Sequence, residues 1–508
     1  MLHTSMALAL LSTLALSAGG AGSPRAFVHP GALESRAQLD FVKAKVAAGK
    51  EQPWTGWYKR ATASGHSQRA PHWPLEDGTP LVTLHADNWP CGNQNLHPPV
   101  ACTLGPNHDQ PPAMFLEAAQ GGDDATGAYL QALLWWYTDD DAYAQRSIAI
   151  LNSYAGLQNI TAPDDQKLLT AGWLGALFAP AAEIMREYGK SAAGSATGWA
   201  PMGDDLAAFQ GMLRRAFVPP LSSASTCNGN VDLTQISALI SVSVFLEDGE
   251  LFQAALQRFD ARAPAYFWLT TDASPPATLG GGDATAYWSH PVEPWMNGLT
   301  QETCRDNGHH SQYGLGTALQ VCEVAYHQGE MLYHKHQTRL TAAMELLSLQ
   351  LKTGSMQAAC PNNVTDVEVY DTFEIGYSHY HYVSGAHLPH TKAWIEGTPG
   401  VRSLGKTDGT WNLAWETLSH ADLQLPTPPA SRPATTADPA EDTSYFMVVL
   451  VLAAGCGICQ FCRALCRRRA VDGKINDFMD AYQVTDGSPG KSELSKPLAA
   501  SDFMLAVD

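Results

Sequence analysis

The sequence predicts an all-α extracytoplasmic body, followed by a stalk and a single transmembrane helix. Three observations lead there. Apolar residues recur at helical spacing through residues 27–422, and few segments alternate with a period of two. The breaks between successive helical segments are short, which favours antiparallel helix pairs. A second apolar run near the C-terminus is closed by a cluster of arginines.

The N-terminus carries an apolar stretch from Met6 to Leu16, followed by small residues from Ser17 to Gly22. That stretch is too short to cross a bilayer, so residues 1–21 read as a cleaved signal peptide. Residues 27–422 are globular in composition. Helical spacing marks Asp123–Tyr137, Asp140–Tyr154, Lys167–Tyr188, Met202–Phe217, Asp232–Phe245, Glu250–Ala263, Gly314–Gln328 and Tyr333–Leu351. Such a series forms an array of hairpins, and a chain of this length can curl the array into a toroid. The same pattern serves both arrangements.

Residues 423–444 are rich in Pro, Thr and Ala and form an extended stalk without a core. The run from Tyr445 to Cys462 holds no charge, and its eighteen residues span roughly 27 Å as a helix. Residues 445–465 are therefore assigned as the membrane span. Arg463, Arg467, Arg468 and Arg469 mark the cytoplasmic side. The chain is thus expected to be a single-pass type I membrane protein, with its bulk extracellular or lumenal and a disordered tail at 466–508.

Six cysteines precede the anchor, at 91, 102, 227, 304, 322 and 360, and an oxidising compartment allows them to pair. Cys91 with Cys102 would close a short loop; the remaining connectivity is open. Cys456, Cys459, Cys462 and Cys466 line the inner half of the anchor, either as acylation sites or as small apolar residues. Asn159-Ile-Thr161 and Asn363-Val-Thr365 are glycosylation sequons. The formal charge of −19 argues against a nucleic-acid partner. No CxxC pair lies outside the anchor, so a zinc ribbon is not expected.

The densest polar cluster is Gln301–Tyr313, with Glu302, Arg305, Asp306, Asn307, His309, His310 and Tyr313 around the turn-former Gly308. A second, Tyr370–Tyr382, packs four tyrosines and two histidines into thirteen residues, among them Tyr377, His379 and Tyr380. Packed aromatics with wet polar tips account for at least half of that cluster. A third, Asn228–Asp232, opens a helix and reads equally as caps or as site residues, with Asn228 and Asn230 the candidates. Trp135-Trp136-Tyr137, the Tyr287–His290 segment with Trp288, and Trp295 read equally as sugar-stacking rings or core.

Asn, His, Arg and Tyr together suit β-elimination on a uronate. The C5 proton is weakly acidic, and donors on the neighbouring carboxylate favour the enolate-like transition state. A Tyr or His then takes that proton, and a Tyr supplies one to the leaving oxygen. Such a site requires no metal and no cofactor.

The segments CNGNVDLTQI, GLTQETCRDNGHHSQYGLG and DTFEIGYSHYHYVSG resemble the alginate lyase superfamily domain, with support from AGWLGALFAPAAEI and the HPG at His29. The resemblance spans residues 27–422. It implies an incomplete (α/α) toroid and elimination on an acidic polysaccharide such as alginate. It also implies that the carboxylate-binding Asn and His fall on Asn230 or Asn307 and on His309 or His310, and the base or acid Tyr on Tyr313, Tyr377 or Tyr380. The candidate catalytic set is accordingly Asn230, Arg305, His309, His310, Tyr313 and Tyr380, with Asn228, Asn307, Tyr377, His379, Trp288 and Trp173 as candidate substrate contacts. The compact Asn-Asn-His-x-x-Trp signature is absent, because Gly308 intervenes. Two rival readings differ in class: a membrane-anchored glycan receptor without turnover, and a toroidal glycosidase using Glu302 or Asp306 with Asp371 or Glu374.

Overall fold

The computed structural model describes residues 25–72, 82–85, 113–162, 166–223, 229–272, 288, 291–305, 308–354, 359–361, 369–405 and 411–425. All of these fall in one compact unit, Met1–Pro429. The signal peptide, most of the stalk, the span and the tail lie outside them, as do Asn228, Asp306, Asn307, Cys91, Cys102 and Cys227. Of the two sequons, the second also lies outside.

The described residues are mostly helical. In chain order the helices are α1 (Arg36–Ala48), α2 (Trp54–Ala63), α3 (Ala113–Thr138), α4 (Asp141–Ser153), α5 (Gln166–Gly189), α6 (Asp204–Met212), α7 (Val218–Ser222) and α8 (Gly229–Phe245). They continue with α9 (Gly249–Tyr266), α10 (His309–His327), α11 (Leu332–Lys335), α12 (Gln337–Thr353), α13 (Glu374–Tyr377), α14 (Pro389–Glu396), α15 (Val401–Leu404) and α16 (Glu416–His420). Two three-residue strands, β1 (Thr83–His85) and β2 (Asn159–Thr161), pair in parallel. π-Helical turns extend α6 through Leu213–Phe217 and α13 through Ser378–Val383.

Local chemistry sets several boundaries. Ser35 and Gln38 form a reciprocal capping box on α1, and Gly49 ends that helix in the left-handed region. Asp140 and Asp248 accept backbone N–H groups at the starts of α4 and α9. The sequence places α10 five residues late. The structure starts it at His309, directly after Gly308 at φ 82°, so both histidines stand in the first helical turn rather than in a loop.

The long helices form two layers. α3, α5, α8 and α10 lie side by side, each packed on the next, while α4 backs α3 and α9 backs α8. Every residue of α8 is buried, as is nearly all of α5 and the stretch Ser311–Ala325 of α10. Helices apolar on all sides must be covered on all sides, which places these three in the inner layer. α5 is the one described helix long and apolar enough to cross a membrane, and its burial marks it as core. Close approach requires small residues. A Cβ at Gly172 of α5 would lie 2.5 Å from the Thr234 methyl of α8, and one at Gly314 of α10 would lie 2.1 Å from the Tyr266 hydroxyl.

Buried charges hold the layers in register. Asp232 of α8 is fully buried and bound by Arg258 and, at 2.8 Å, by Arg262 of α9. This carboxylate at the start of α8 therefore ties inner to outer layer. Trp135, Trp136 and Tyr137 also belong to the core, with the Trp136 indole donating to Asp40 at 2.9 Å.

Candidate active site

The first turns of α8 and α10 and the third turn of α5 converge on one point. Tyr313 of α10 is buried, and its hydroxyl meets the Trp173 indole N–H from α5 and, at 2.5 Å, the Thr234 hydroxyl from α8. Thr234 donates its own proton to the Asn230 carbonyl at 2.7 Å. Proton bookkeeping follows: Thr234 accepts from Tyr313, and the Tyr313 oxygen accepts from Trp173. Asn230, in the first turn of α8, is buried beside this line. Burial pushes the Tyr313 phenol well above its ordinary range, while its bonds with Thr234 and Trp173 pull the other way. Tyr313 is therefore a neutral phenol whose oxygen already accepts from one donor, the Trp173 indole.

His309 and His310 stand four and three residues before Tyr313, so all three side chains share one helix face. Trp411 joins them. Its ring is 4.8 Å from His309, 6.2 Å from His310 and 4.6 Å from Tyr313, and it stacks on Trp173 at 5.4 Å with planes 7° apart. Trp411 holds φ at 57°, a conformation disfavoured for a bulky residue. Such strain persists where surrounding contacts over-determine it, as four aromatic neighbours do here. Tyr370 completes the wall, 5.2 Å from His309. Both histidines are half-buried, which leaves them a solvent face.

Behind this group, Glu302 is fully buried and accepts from Arg305 at 2.8 Å and from the Tyr266 phenol at 2.6 Å. Gly229 donates its N–H to Gln301 at 2.7 Å, which locks the Gln301–Arg305 segment against the start of α8. The disulfide Cys304–Cys360 ties the same segment to the chain after α12. Cys322 is a buried free thiol.

The structure thus brings together Asn230, Arg305, His309, His310, Tyr313 and Trp173. It adds Trp411, Thr234 and Tyr370, which the sequence reading did not single out as site residues. Three other candidates lie elsewhere. Tyr380 is buried, with its hydroxyl donating to the Tyr333 carbonyl at 3.1 Å. His379 stacks on Tyr333 at 3.7 Å and lies 4.7 Å from Tyr326. Tyr377 stacks on His381 at 4.9 Å. Tyr326 is thirteen residues along α10 from Tyr313, about 20 Å at helical rise, so this group sits at the opposite end of the helix. Trp288 packs with Trp268 and Trp295 in a small separate core.

Of the carboxylates considered for a glycosidase, Glu302, Asp371 and Glu374 are buried in structural roles, and Asp306 lies outside the described residues. Glu374 is bidentate on Arg402 at 2.7 and 2.9 Å, and Asp371 accepts from the Thr417 hydroxyl at 2.7 Å. Burial raises Asp371 to about 7 against the pull of those Thr417 bonds. His29 of the HPG segment also has a structural role, held at 2.8 Å from Glu183 and 3.2 Å from Arg186. Among the described residues no group of His, Cys, Asp and Glu has metal-binding geometry.

No protein-family model matches the chain, and no curated protein matches it. Among solved structures it is similar to alginate lyase A1-III from Sphingomonas species A1, with 13% identity, coverage of 71% of this chain and 94% of that one, and a TM-score of 0.46. A variant of alginate lyase A1-III in its apo form gives 13% identity, 69% and 87% coverage, and 0.46. A variant complexed with tetrasaccharide gives 12% identity, 71% and 93% coverage, and 0.45.

Proposed function

We propose that this protein is a polysaccharide lyase with an α/α-toroid body, cleaving uronate-containing, alginate-like glycans by β-elimination. The observation that carries the reading is the line Trp173–Tyr313–Thr234 beside His309, His310 and Trp411. It combines an acid whose conjugate base is pre-solvated with imidazoles and stacking rings on one helix face.

In this mechanism Asn230 and Arg305, the latter still paired with Glu302, hydrogen-bond the uronate carboxylate, which favours negative charge at C5 in the transition state. His310 or His309 takes the C5 proton as general base. The electron pair forms the C4–C5 double bond, and the C4–oxygen bond breaks. Tyr313 protonates the departing oxygen, and the phenolate it leaves accepts from the Trp173 indole, with the Thr234 hydroxyl turning from the Asn230 carbonyl to donate to it as well. Transfer of the imidazolium proton back to Tyr313 closes the cycle. Net, the C5 proton ends on the new hydroxyl, and no redox partner is required.

The expected topology, with a signal peptide at 1–21 and a span at 445–465, puts this chemistry on the extracytoplasmic side of a membrane. The test is to incubate the full chain with alginate and other polyuronates and follow the ultraviolet absorbance of the unsaturated product. The proposal fails if no uronate polymer yields the new double bond. Unsaturation with wild type and its loss in His310→Ala support it.

A further inference from the structure

The Tyr/His-rich segment that does not join the active site forms a surface groove of its own, of about 320 Å³. It runs between the π-helical turn Ser378–Val383 and α14, and its chemistry comes from Tyr377, His381, His387, Lys392 and Glu396. That volume is at the lower end of small-ligand sites. π-Helical turns carry a geometric cost and concentrate at functional positions.

We propose that this groove is a second saccharide-binding site, which takes one carboxylate-bearing sugar unit of an acidic glycan. Three features fit that occupant. First, Tyr377, itself buried, stacks on the half-buried His381 at 4.9 Å with planes 13° apart, which holds the imidazole rigidly in the groove wall. Second, burial, with Glu396 and Asp422 nearby, pushes the Tyr377 phenol up to about 12, so the ring behind that imidazole stays uncharged beside an incoming carboxylate. Third, the groove departs locally from the acidic character of the chain. Lys392 and two imidazoles face a single carboxylate, Glu396, which lies 4.0 Å from Lys392 at the outer limit of an ion pair. A sugar carboxylate displaces that loose contact and gains Lys392 and a histidine, and Glu396 is released to accept sugar hydroxyls.

The choice of a uronate as occupant rests on the lyase reading, whereas a site for an acidic sugar does not. Occupation here holds a polymer at one end of α10 while the other end acts on it.

The experiment uses the full chain carrying His310→Ala, so that the ligand is not consumed, and titrates it calorimetrically with an alginate trisaccharide. The expected result is two sites per chain. Adding Lys392→Gln with His387→Gln removes one of them. The same pair in the otherwise wild-type chain leaves kcat on short oligomers unchanged and raises KM for long polymer several-fold. A single site that is indifferent to Lys392→Gln and His387→Gln overturns the proposal. Loss of a site on those substitutions, in a chain that forms no unsaturated product with any uronate, keeps the groove and removes the lyase. A circular dichroism spectrum identical to wild type establishes that the variants fold.

Discussion

Glu34 provides the sharpest test of the buried polar network, because its sign and size both follow from the structure. It is 2% exposed and accepts from the Tyr129 hydroxyl. Burial is the main cause that raises its carboxyl from 4.5 to about 8; the Tyr129 bond opposes the rise and the charge of Glu323 adds to it. The folded state thus binds a proton that the unfolded state has released between those two values. Stability is full below pH 4.5 and is lost as pH rises toward 8. The shift corresponds to about 5 kcal/mol at most. Glu34→Gln retains an acceptor for Tyr129 and removes the titration. Urea unfolding of the full chain, followed by tryptophan fluorescence, should give curves within about 1 kcal/mol of each other near pH 4.5. By pH 8 the variant should be more stable by several kcal/mol. His379 and His420 act in the opposite direction: burial lowers each from 6.5 to about 4, so their share is present above pH 6.5 and is lost as pH falls through 4. Both proteins therefore share an acid limb and the decline from Asp371, which burial raises to about 7, and wild type alone adds the decline from Glu34. An equal penalty for Glu34→Gln at both pH values would refute a buried neutral carboxyl.

Four further outcomes follow from the same contacts. Tyr313→Phe should lower turnover by a factor of about 10²–10⁴, as expected for a lost acid. Tyr380→Phe should leave turnover unchanged and cost about 1 kcal/mol for its bond to the Tyr333 carbonyl; product absorbance and thermal melts read both. Removing the Cys304–Cys360 disulfide, which closes a loop with a sequence separation of 56, should destabilise the fold by about 4 kcal/mol on chain-entropy grounds, measured with Cys304→Ala/Cys360→Ala in urea. Gly314→Ala should cost about 1–3 kcal/mol, because its methyl would meet the Tyr266 hydroxyl and disturb the bond to Glu302; a thermal melt and an activity assay should fall together.

The helical class was legible because the inner helices are apolar enough to show their period without help from tertiary context. Boundaries were less so. α3 reads as beginning at Asp123 because Gly121, Gly122 and two aspartates interrupt the apolar pattern, yet the helix runs from Ala113. At the site, the Gln301–Tyr313 cluster stood out because its residues are adjacent in sequence. Trp411 and Thr234 did not, because the site is assembled from positions 173, 234, 313 and 411, and neither residue type is unusual where it occurs. The grouping of Tyr380 with the site candidates has the same origin. Composition marks Tyr370–Tyr382 as one cluster, but the chain passes from the wall of the site at Tyr370 to the far end of α10 by Tyr377. Density of polar aromatics in sequence does not say which end of a helix they pack against.

The charge of −19 weighs against a polyanionic substrate, since no basic stretch marks a cleft. The geometry removes much of that objection. Asn230 stands in the first turn of α8 and His309 opens α10, so the proposed carboxylate position faces two helix N-termini, each equivalent to roughly half a positive charge. Backbone N–H groups attract an anion without contributing to formal charge. Two carboxylates around the site are also already neutralised internally: Asp232 by Arg258 and Arg262, and Glu302 by Arg305. Salt further screens exposed acidic groups beyond about 8 Å. The local field at the start of α8 and α10 is therefore set by dipoles and half-buried imidazoles rather than by the total count. An acidic exterior around such a site disfavours loose adsorption of polymer while leaving the seated carboxylate stabilised.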